Sequence, residues 1–198
     1  MNLKLMGADV TCIGCVGNDI WGEKLISILK NEGIKTEGID SIDNHPTTLK
    51  QRVYSNGKQV ARLDTEKIIN WEIDKDTSYI VEDYDIIILS DYNKGVLHNP
   101  KLFLTLIKSS QLSCNNRLEC IIVDPKKDDF DHYHGVNIIT PNLNELQKAT
   151  KMNIDDNQSI VKACNKLIKK YNIEYIVAKK GDKGITIVGE DNFVKHIK

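Results

Sequence analysis

Four short apolar runs constrain this chain more than anything else in it: Ile86-Ile87-Ile88-Leu89, Cys120-Ile121-Ile122-Val123, Val136-Asn137-Ile138-Ile139 and Tyr175-Ile176-Val177-Ala178. A continuous apolar run bounded by polar loops is the pattern of a strand buried on both faces, as in a parallel sheet. Helical patterns fill the gaps between these runs. Asn99-Pro100 forms an N-cap and first turn ahead of Phe103, Leu106 and Ile107. Leu143 to Thr150 follows the third run, and Ile160, Cys164, Leu167, Ile168 and Tyr171 lie on one stripe of a further helix. Strands alternating with helices predict an α/β fold, a doubly wound and mainly parallel sheet with helices on both faces. In such a sheet the carboxyl ends of the strands share one edge, where ligands bind. The loops there are rich in charge and glycine: Asp91 and Lys94, Asp124 and Lys126, Thr140 to Glu145, and Lys179 with Gly181 and Gly184.

The other segments are read in the same way. Asn2 to Gly7 resembles the last turn of a helix, and Val10 to Val16 a buried strand. Asp19 is placed to cap a helix starting at Ile20, with Trp21, Leu25, Ile28 and Leu29 on one stripe and Gly33 as its terminator. Asn56-Gly57 between two extended runs predicts a two-residue hairpin turn. A regular ladder from that turn pairs Val53 with Val60, Gln51 with Arg62 and Lys50 with Leu63. Lys50 and Arg52 then lie on one face, Arg62 and Asp64 on the other. The polarity of both faces marks residues 46–66 as a small β lid rather than part of the main sheet. Ile185 to Ile197 reads as a second hairpin. At 198 residues the chain suits one domain.

Several function classes are excluded at this level. With 27 basic and 28 acidic residues there is no basic excess to hold nucleic acid. No apolar run spans a membrane and no leader pattern opens the chain, so a cytoplasmic protein is expected. Cys12 and Cys15 fall in a strand at a spacing that points them to opposite faces, and Cys114 and Cys120 lack zinc-pair spacing. Gly17-x-x-x-x-Gly22 has the spacing of a phosphate loop, but Glu23-Lys24 stands where Lys-Ser/Thr is required. No Gly-x-Gly-x-x-Gly follows a strand, which argues against a dinucleotide-dependent oxidoreductase.

Lysines and a glycine-rich turn suit phosphate, and Asp124 and Glu145 offer hard oxygen atoms to Mg²⁺. This is the equipment of phosphoryl transfer. Each residue also has a plainer role: Asn142 and Glu145 form an Asn-x-x-Glu capping box, and the aspartates and glycines form turns.

Four motifs resemble the ribokinase-like (PfkB-type) carbohydrate kinases: Gly14-x-x-Gly17-x-Asp19-x-x-Gly22, the lid, Asp124-Pro125-Lys126 and Thr140-Pro141-Asn142-x-x-Glu145. Others are similar to the D-glycero-D-manno-heptose 7-phosphate kinases of that family: Pro46-Thr47-Thr48-x-Lys50-x-Arg52-Val53, Arg62-Leu63-Asp64-x-Glu66, Ser90-Asp91-Tyr92-x-Lys94-Gly95 and Phe130 after Asp124-Pro125-Lys126. The resemblance implies a partial ribokinase-like domain over residues 1–198, acting on ATP and a sugar phosphate with Mg²⁺. It implies ATP contacts from Lys126, Asn142, Leu143, Asn144, Glu145, Lys179, Gly181 and Gly184. Metal contacts would come from Glu145 and Asp124, and sugar-phosphate contacts from Lys50, Arg52, Arg62, Asp91 and Lys94. A homodimer through the lid and a fused adenylyltransferase half are further implications. The family's Gly-Ala-Gly-Asp segment, with its general-base aspartate, does not occur in the sequence. It is expected beyond Lys198, and the N-terminal Gly-Gly and Asn segment is expected before Met1. A fragment that binds nucleotide without turnover, or a kinase of this family acting on another sugar, is the alternative.

Overall fold

The computed structural model describes residues 1–71, 84–101, 103–105, 107 and 118–198. The expected positions of Leu106 and Cys114 lie outside these. The chain divides into two compact units, Met1–Ile73 and Asp74–Lys198.

In the first unit a short helix α1 (Asn2–Leu5) precedes strand β1 (Thr11–Gly17), helix α2 (Ile20–Asn31) and strand β2 (Lys35–Ile42). The two strands pair in parallel around α2, a small βαβ unit whose second strand carries no clear sequence signal. Asp19 caps α2, accepting from the Trp21 and Gly22 N–H groups. Of the stripe expected to face inward only Leu29 is half-buried, while Trp21, Leu25 and Ile28 are 42%, 41% and 44% exposed. A two-stranded sheet is too narrow to cover a twelve-residue helix, and α2 buries only Gly22.

Strands β3 (Leu49–Ser55) and β4 (Lys58–Thr65) form the expected antiparallel hairpin. Asn56 and Gly57 both have positive φ, 49° and 75°, as a type I′ turn requires. The ladder, however, is not regular. Tyr54 pairs with Gln59 but Val53 pairs with Ala61, so Val60 is an extra residue in a bulge. Every later pair shifts by one, giving Arg52 opposite Arg62 and Lys50 opposite Asp64. Directly opposed residues share a face and alternate residues along a strand share a face. Lys50, Arg52, Arg62 and Asp64 therefore all lie on one face, which corrects the two-faced arrangement expected from an unbulged hairpin.

The second unit contains a six-stranded sheet in the order β10-β9-β8-β7-β6-β5. Strands β5 (Ile86–Ser90), β6 (Cys120–Asp124), β7 (Ile138–Ile139) and β8 (Tyr175–Lys179) run parallel. Strands β9 (Ile185–Gly189) and β10 (Val194–Ile197) add an antiparallel hairpin at one edge. A helix α3 starts at Pro100, and α4 (Leu143–Thr150) and α5 (Asn157–Tyr171) follow β7. Ile107, Val123, Phe130, Tyr133, Ile139, Leu146, Leu167, Tyr171, Ile176 and Val188 belong to one core cluster. The stripe of α5 is buried as expected, and Asp156 caps it. Strand β7 is shorter than its apolar run because the Asn137 side chain takes over a ladder position: its Oδ1 accepts the Ile121 N–H at 2.8 Å. The run Ile86–Leu89 is not buried on both faces. One face of β5 stays open: Ile86 is 52% and Ile88 45% exposed, while Leu89 on the other face is buried.

Candidate active site

Because β5 to β8 are parallel, their carboxyl ends bring Asp91, Asp124, Thr140 and Lys179 to one edge. The register makes this concrete. Ser90 is level with Asp124 across β5 and β6, the Thr140 N–H donates to the Val123 carbonyl at 2.9 Å, and Asn142 bridges to Lys179.

Helix α4 begins at this edge. Asn142 has extended backbone and caps it: its Oδ1 accepts the Glu145 N–H at 2.9 Å, and Glu145 Oε2 accepts the Asn142 N–H at 2.8 Å. The Asn-x-x-Glu spacing thus makes the reciprocal capping box. The other oxygen, Glu145 Oε1, accepts from Lys126 Nζ at 3.1 Å. Glu145 is 8% exposed, so burial and two donors fix one carboxylate where α4 starts. Leu143 is half-buried against the core and Asn144 is exposed on the first turn.

A second ion pair runs across the strand ends. Lys179 Nζ donates to Asp124 Oδ1, and Thr140 Oγ1 donates to the same oxygen at 3.1 Å. The pair spans β6 and β8 with the end of β7 between them. Lys126 and Lys179 are each about half exposed. After Lys179 a single 3₁₀ turn, Gly181–Lys183, is closed by the Lys183 and Gly184 N–H groups donating to the Lys180 and Gly181 carbonyls at 3.3 and 3.1 Å, and the Lys180 N–H donates to the Gly184 carbonyl at 2.8 Å. Gly181 and Gly184 have φ of +64° and +82°. A Cβ at Gly181 would meet open space, whereas one at Gly184 would lie 2.0 Å from the Ile197 carbonyl oxygen. Gly184 is therefore needed for the passage of β10's end as well as for the turn.

The structure turns Asp91 inward. It is 5% exposed, accepts from the Tyr133 hydroxyl on one oxygen and from the Asn93 N–H at 2.6 Å on the other. Burial first, and then this hydrogen bond, hold the Tyr133 phenol far above its ordinary pKa. Lys94 sits half-buried in the same loop, between Asn93 and Gly95, whose φ values are +54° and +102°. On the lid, Arg62 Nε donates to Asp64 at 2.8 Å, and Lys50 Nζ lies 3.4 Å from Asp64 and 3.2 Å from Glu66.

For Mg²⁺ the donor chemistry fits an outer role. Among the described residues no three acidic, histidine or cysteine side chains cluster as a metal cage. Mg²⁺, however, is commonly held by one or two carboxylates with waters and substrate phosphates, and Glu145 and Asp124 supply such oxygens beside two lysines. Tyr133 and Thr140 join the site only through tertiary contacts, to Asp91 and Asp124. Tyr133 carries no motif signal, and Thr140 was legible only as part of the strand-to-helix stretch. Among the described residues no helix is long and apolar enough to cross a membrane.

Known proteins resemble this chain in sequence and in fold. The model of the pfkB family carbohydrate kinases matches residues 1–198. Bifunctional protein HldE of Campylobacter fetus is 33% identical over 194 residues, covering 96% of this chain and 41% of the relative. Its Helicobacter pylori counterpart is 32% identical over 204 residues, covering 98% and 42%. The chain thus spans about two fifths of the length of these curated relatives. Arabidopsis thaliana ribokinase, solved with ribose and ATP, superposes with a TM-score of 0.75 at 19% identity, over 96% of this chain and 61% of its own. Escherichia coli phosphofructokinase-2 with fructose-6-phosphate gives 0.72 at 19%, over 98% and 64%. At such identities the likeness is one of fold, and it is the ribokinase-like α/β fold. With its full length matched by the family model, the chain belongs to the pfkB family of carbohydrate kinases.

Proposed function

We propose that this chain is the nucleotide-binding and lid-bearing part of an ATP-dependent sugar-phosphate kinase. The reaction is transfer of the γ-phosphoryl group to the anomeric hydroxyl of D-glycero-D-manno-heptose 7-phosphate, in ADP-heptose synthesis in the cytoplasm. The observation that carries the reading is the convergence of Lys126, Lys179, Asp124 and Glu145 on one sheet edge, at the start of a capped helix. Two ammonium groups and a helix N-terminus favour a polyphosphate there. The Gly181–Gly184 turn then lies along the nucleotide. The single-faced cations of the lid, Lys50, Arg52 and Arg62, support a phosphorylated sugar, with Lys94 on the sugar side and Asp91 holding its loop.

In this reading Lys126 and Lys179 transfer their hydrogen bonds from the carboxylates to the phosphates. Glu145 and Asp124, freed from the lysines, would be the residues that hold a hydrated Mg²⁺. Mg²⁺ would neutralise charge on the phosphate oxygens. Asn142 keeps the helix start fixed, so the first-turn amides stay aimed at the anion. Glu145 keeps the Asn142 N–H and Asp124 keeps the Thr140 hydroxyl as partners, and proton abstraction is assigned to neither. The chain alone is accordingly read as a binder of nucleotide rather than a complete catalyst. The relatives' name, bifunctional protein, supports a second fused activity, which we infer is an adenylyltransferase, and the exposed hairpin supports a homodimer through the lid.

The deciding experiment supplies the full-length protein with ATP, Mg²⁺ and heptose 7-phosphate and follows ADP formation and the 1,7-bisphosphate. Transfer to a different sugar would overturn the substrate, and failure of the 198-residue chain to bind Mg-ATP in calorimetry would overturn the site.

A further inference from the structure

The Gly17-x-Asp19-x-x-Gly22 motif is not used by the proposed site, yet its residues meet at one place. Asp19 does more than cap α2. Its Oδ1 accepts from the Trp21 and Gly22 amides at 3.1 and 2.9 Å, and also from the Thr47 hydroxyl at 2.7 Å. Its Oδ2 accepts the Thr47 N–H at 2.8 Å. The Thr47 hydroxyl accepts in turn from the Gly17 N–H at 2.9 Å. A cap explains only the first two of these bonds. Both glycines are required by the closeness of the segments. A Cβ at Gly17 would lie 2.1 Å from the His45 carbonyl oxygen and 2.7 Å from the Thr47 nitrogen, and one at Gly22 would lie 2.2 Å from the Gly17 carbonyl oxygen.

Thr47 is 8% exposed and stands two residues before β3, the first strand of the hairpin. The hairpin itself is exposed along nearly all of both strands, so its direction is set at its feet. The second foot is held similarly: the Trp71 indole N–H donates to Asp40 of β2 at 2.7 Å, and Trp71 is 9% exposed. We propose that Asp19 and Thr47 are positioning residues for the lid, locking its first leg to the end of β1 and the start of α2 and so fixing where Lys50, Arg52 and Arg62 are presented. The link to those cations rests on the function proposed above.

The test compares Thr47→Val, which keeps the shape and removes the hydroxyl, with Thr47→Ser, which keeps the hydroxyl. In the 198-residue chain, hydrogen exchange over residues 45–66 rises roughly tenfold or more in Thr47→Val, returns to the parent rate in Thr47→Ser, and is unchanged in α5 and β8. In the full-length enzyme the KM for heptose 7-phosphate rises about tenfold, while kcat and the KM for ATP stay within about twofold. Unchanged exchange over residues 45–66 would overturn the clamp. A rise in exchange with kcat and both KM values worsening together would reduce Asp19 and Thr47 to ordinary structural residues. If the parent full-length enzyme transfers no phosphate to heptose 7-phosphate, the proposed function fails, and the exchange result still decides the clamp.

Discussion

Lys126 Nζ lies 3.1 Å from Glu145 Oε1, while the second oxygen of the same carboxylate closes the capping box of α4. One side chain thus serves the fold with one oxygen and pairs with Lys126 through the other. The two uses can be separated. Glu145→Gln retains an acceptor for the Asn142 N–H, so the melting temperature should fall only slightly. Its Mg-dependent activity in the full-length enzyme should fall roughly 10–100-fold, the usual scale for a residue in a metal's outer shell. Asn142→Ala should instead cost about 1 kcal/mol of stability, as a lost N-cap does. Parallel losses of activity and stability in Glu145→Gln would leave capping as its only role.

The bulge at Val60 gives the lid a single cationic face. Arg52→Ala should leave stability within about 0.5 kcal/mol, because the residue is exposed. It should raise the KM for the sugar phosphate roughly tenfold, the scale of one lost charge-assisted hydrogen bond. Lys58→Ala, at the hairpin tip, should change neither. Steady-state kinetics at low and high salt provide the check, since screening should shrink the Arg52 effect.

Tyr133 and Asp91 are buried together, and the phenol is the carboxylate's hydroxyl donor. Tyr133→Phe keeps the ring's packing beside Phe130 and leaves Asp91 short of a donor, so it should cost about 1–3 kcal/mol. The pH dependence has a definite sign. Because the folded phenol is held far above its ordinary value, its contribution to stability is complete below about pH 10 and is lost as pH rises from there. Denaturant melts between pH 8 and 11 should show this loss in the parent chain and not in Tyr133→Phe.

Gly181 and Gly184 look alike in the sequence but should respond differently to alanine. At Gly181 only the positive φ is strained, so Gly181→Ala should cost about 1 kcal/mol. At Gly184 the new Cβ would also collide with the Ile197 carbonyl, so Gly184→Ala should displace β10 and lower the melting temperature much further. Exchange of the β9 and β10 amides measures the difference.

Local patterns were legible in the sequence wherever the cause was local. Apolar runs gave β6 and β8, the Asn-Gly pair gave the turn, and Asp19 and Asn142 gave their helix starts, because each depends on residues within a few positions. A long amphipathic stripe gave α5 for the same reason. By contrast, the exposure of Trp21, Leu25 and Ile28 depends on how many strands lie beneath α2, and that of Ile86 and Ile88 on what covers that face of β5. A helical or apolar pattern carries neither fact.

The candidate site divides along the same line. Asn142-x-x-Glu145 determines its own geometry, and parallel strands place the polar loops on one edge. Only the tertiary structure decided which side chains meet there. Lys179 reaches Asp124 across a strand, Tyr133 covers Asp91 from 42 residues away, and Thr47 meets Asp19 over 28. It also decided the lid's charged face, because one unpaired residue, Val60, shifts every later pair of the hairpin. Alternation along a strand is fixed by the sequence, but the register between strands is fixed by backbone pairing, and a single bulge reassigns it.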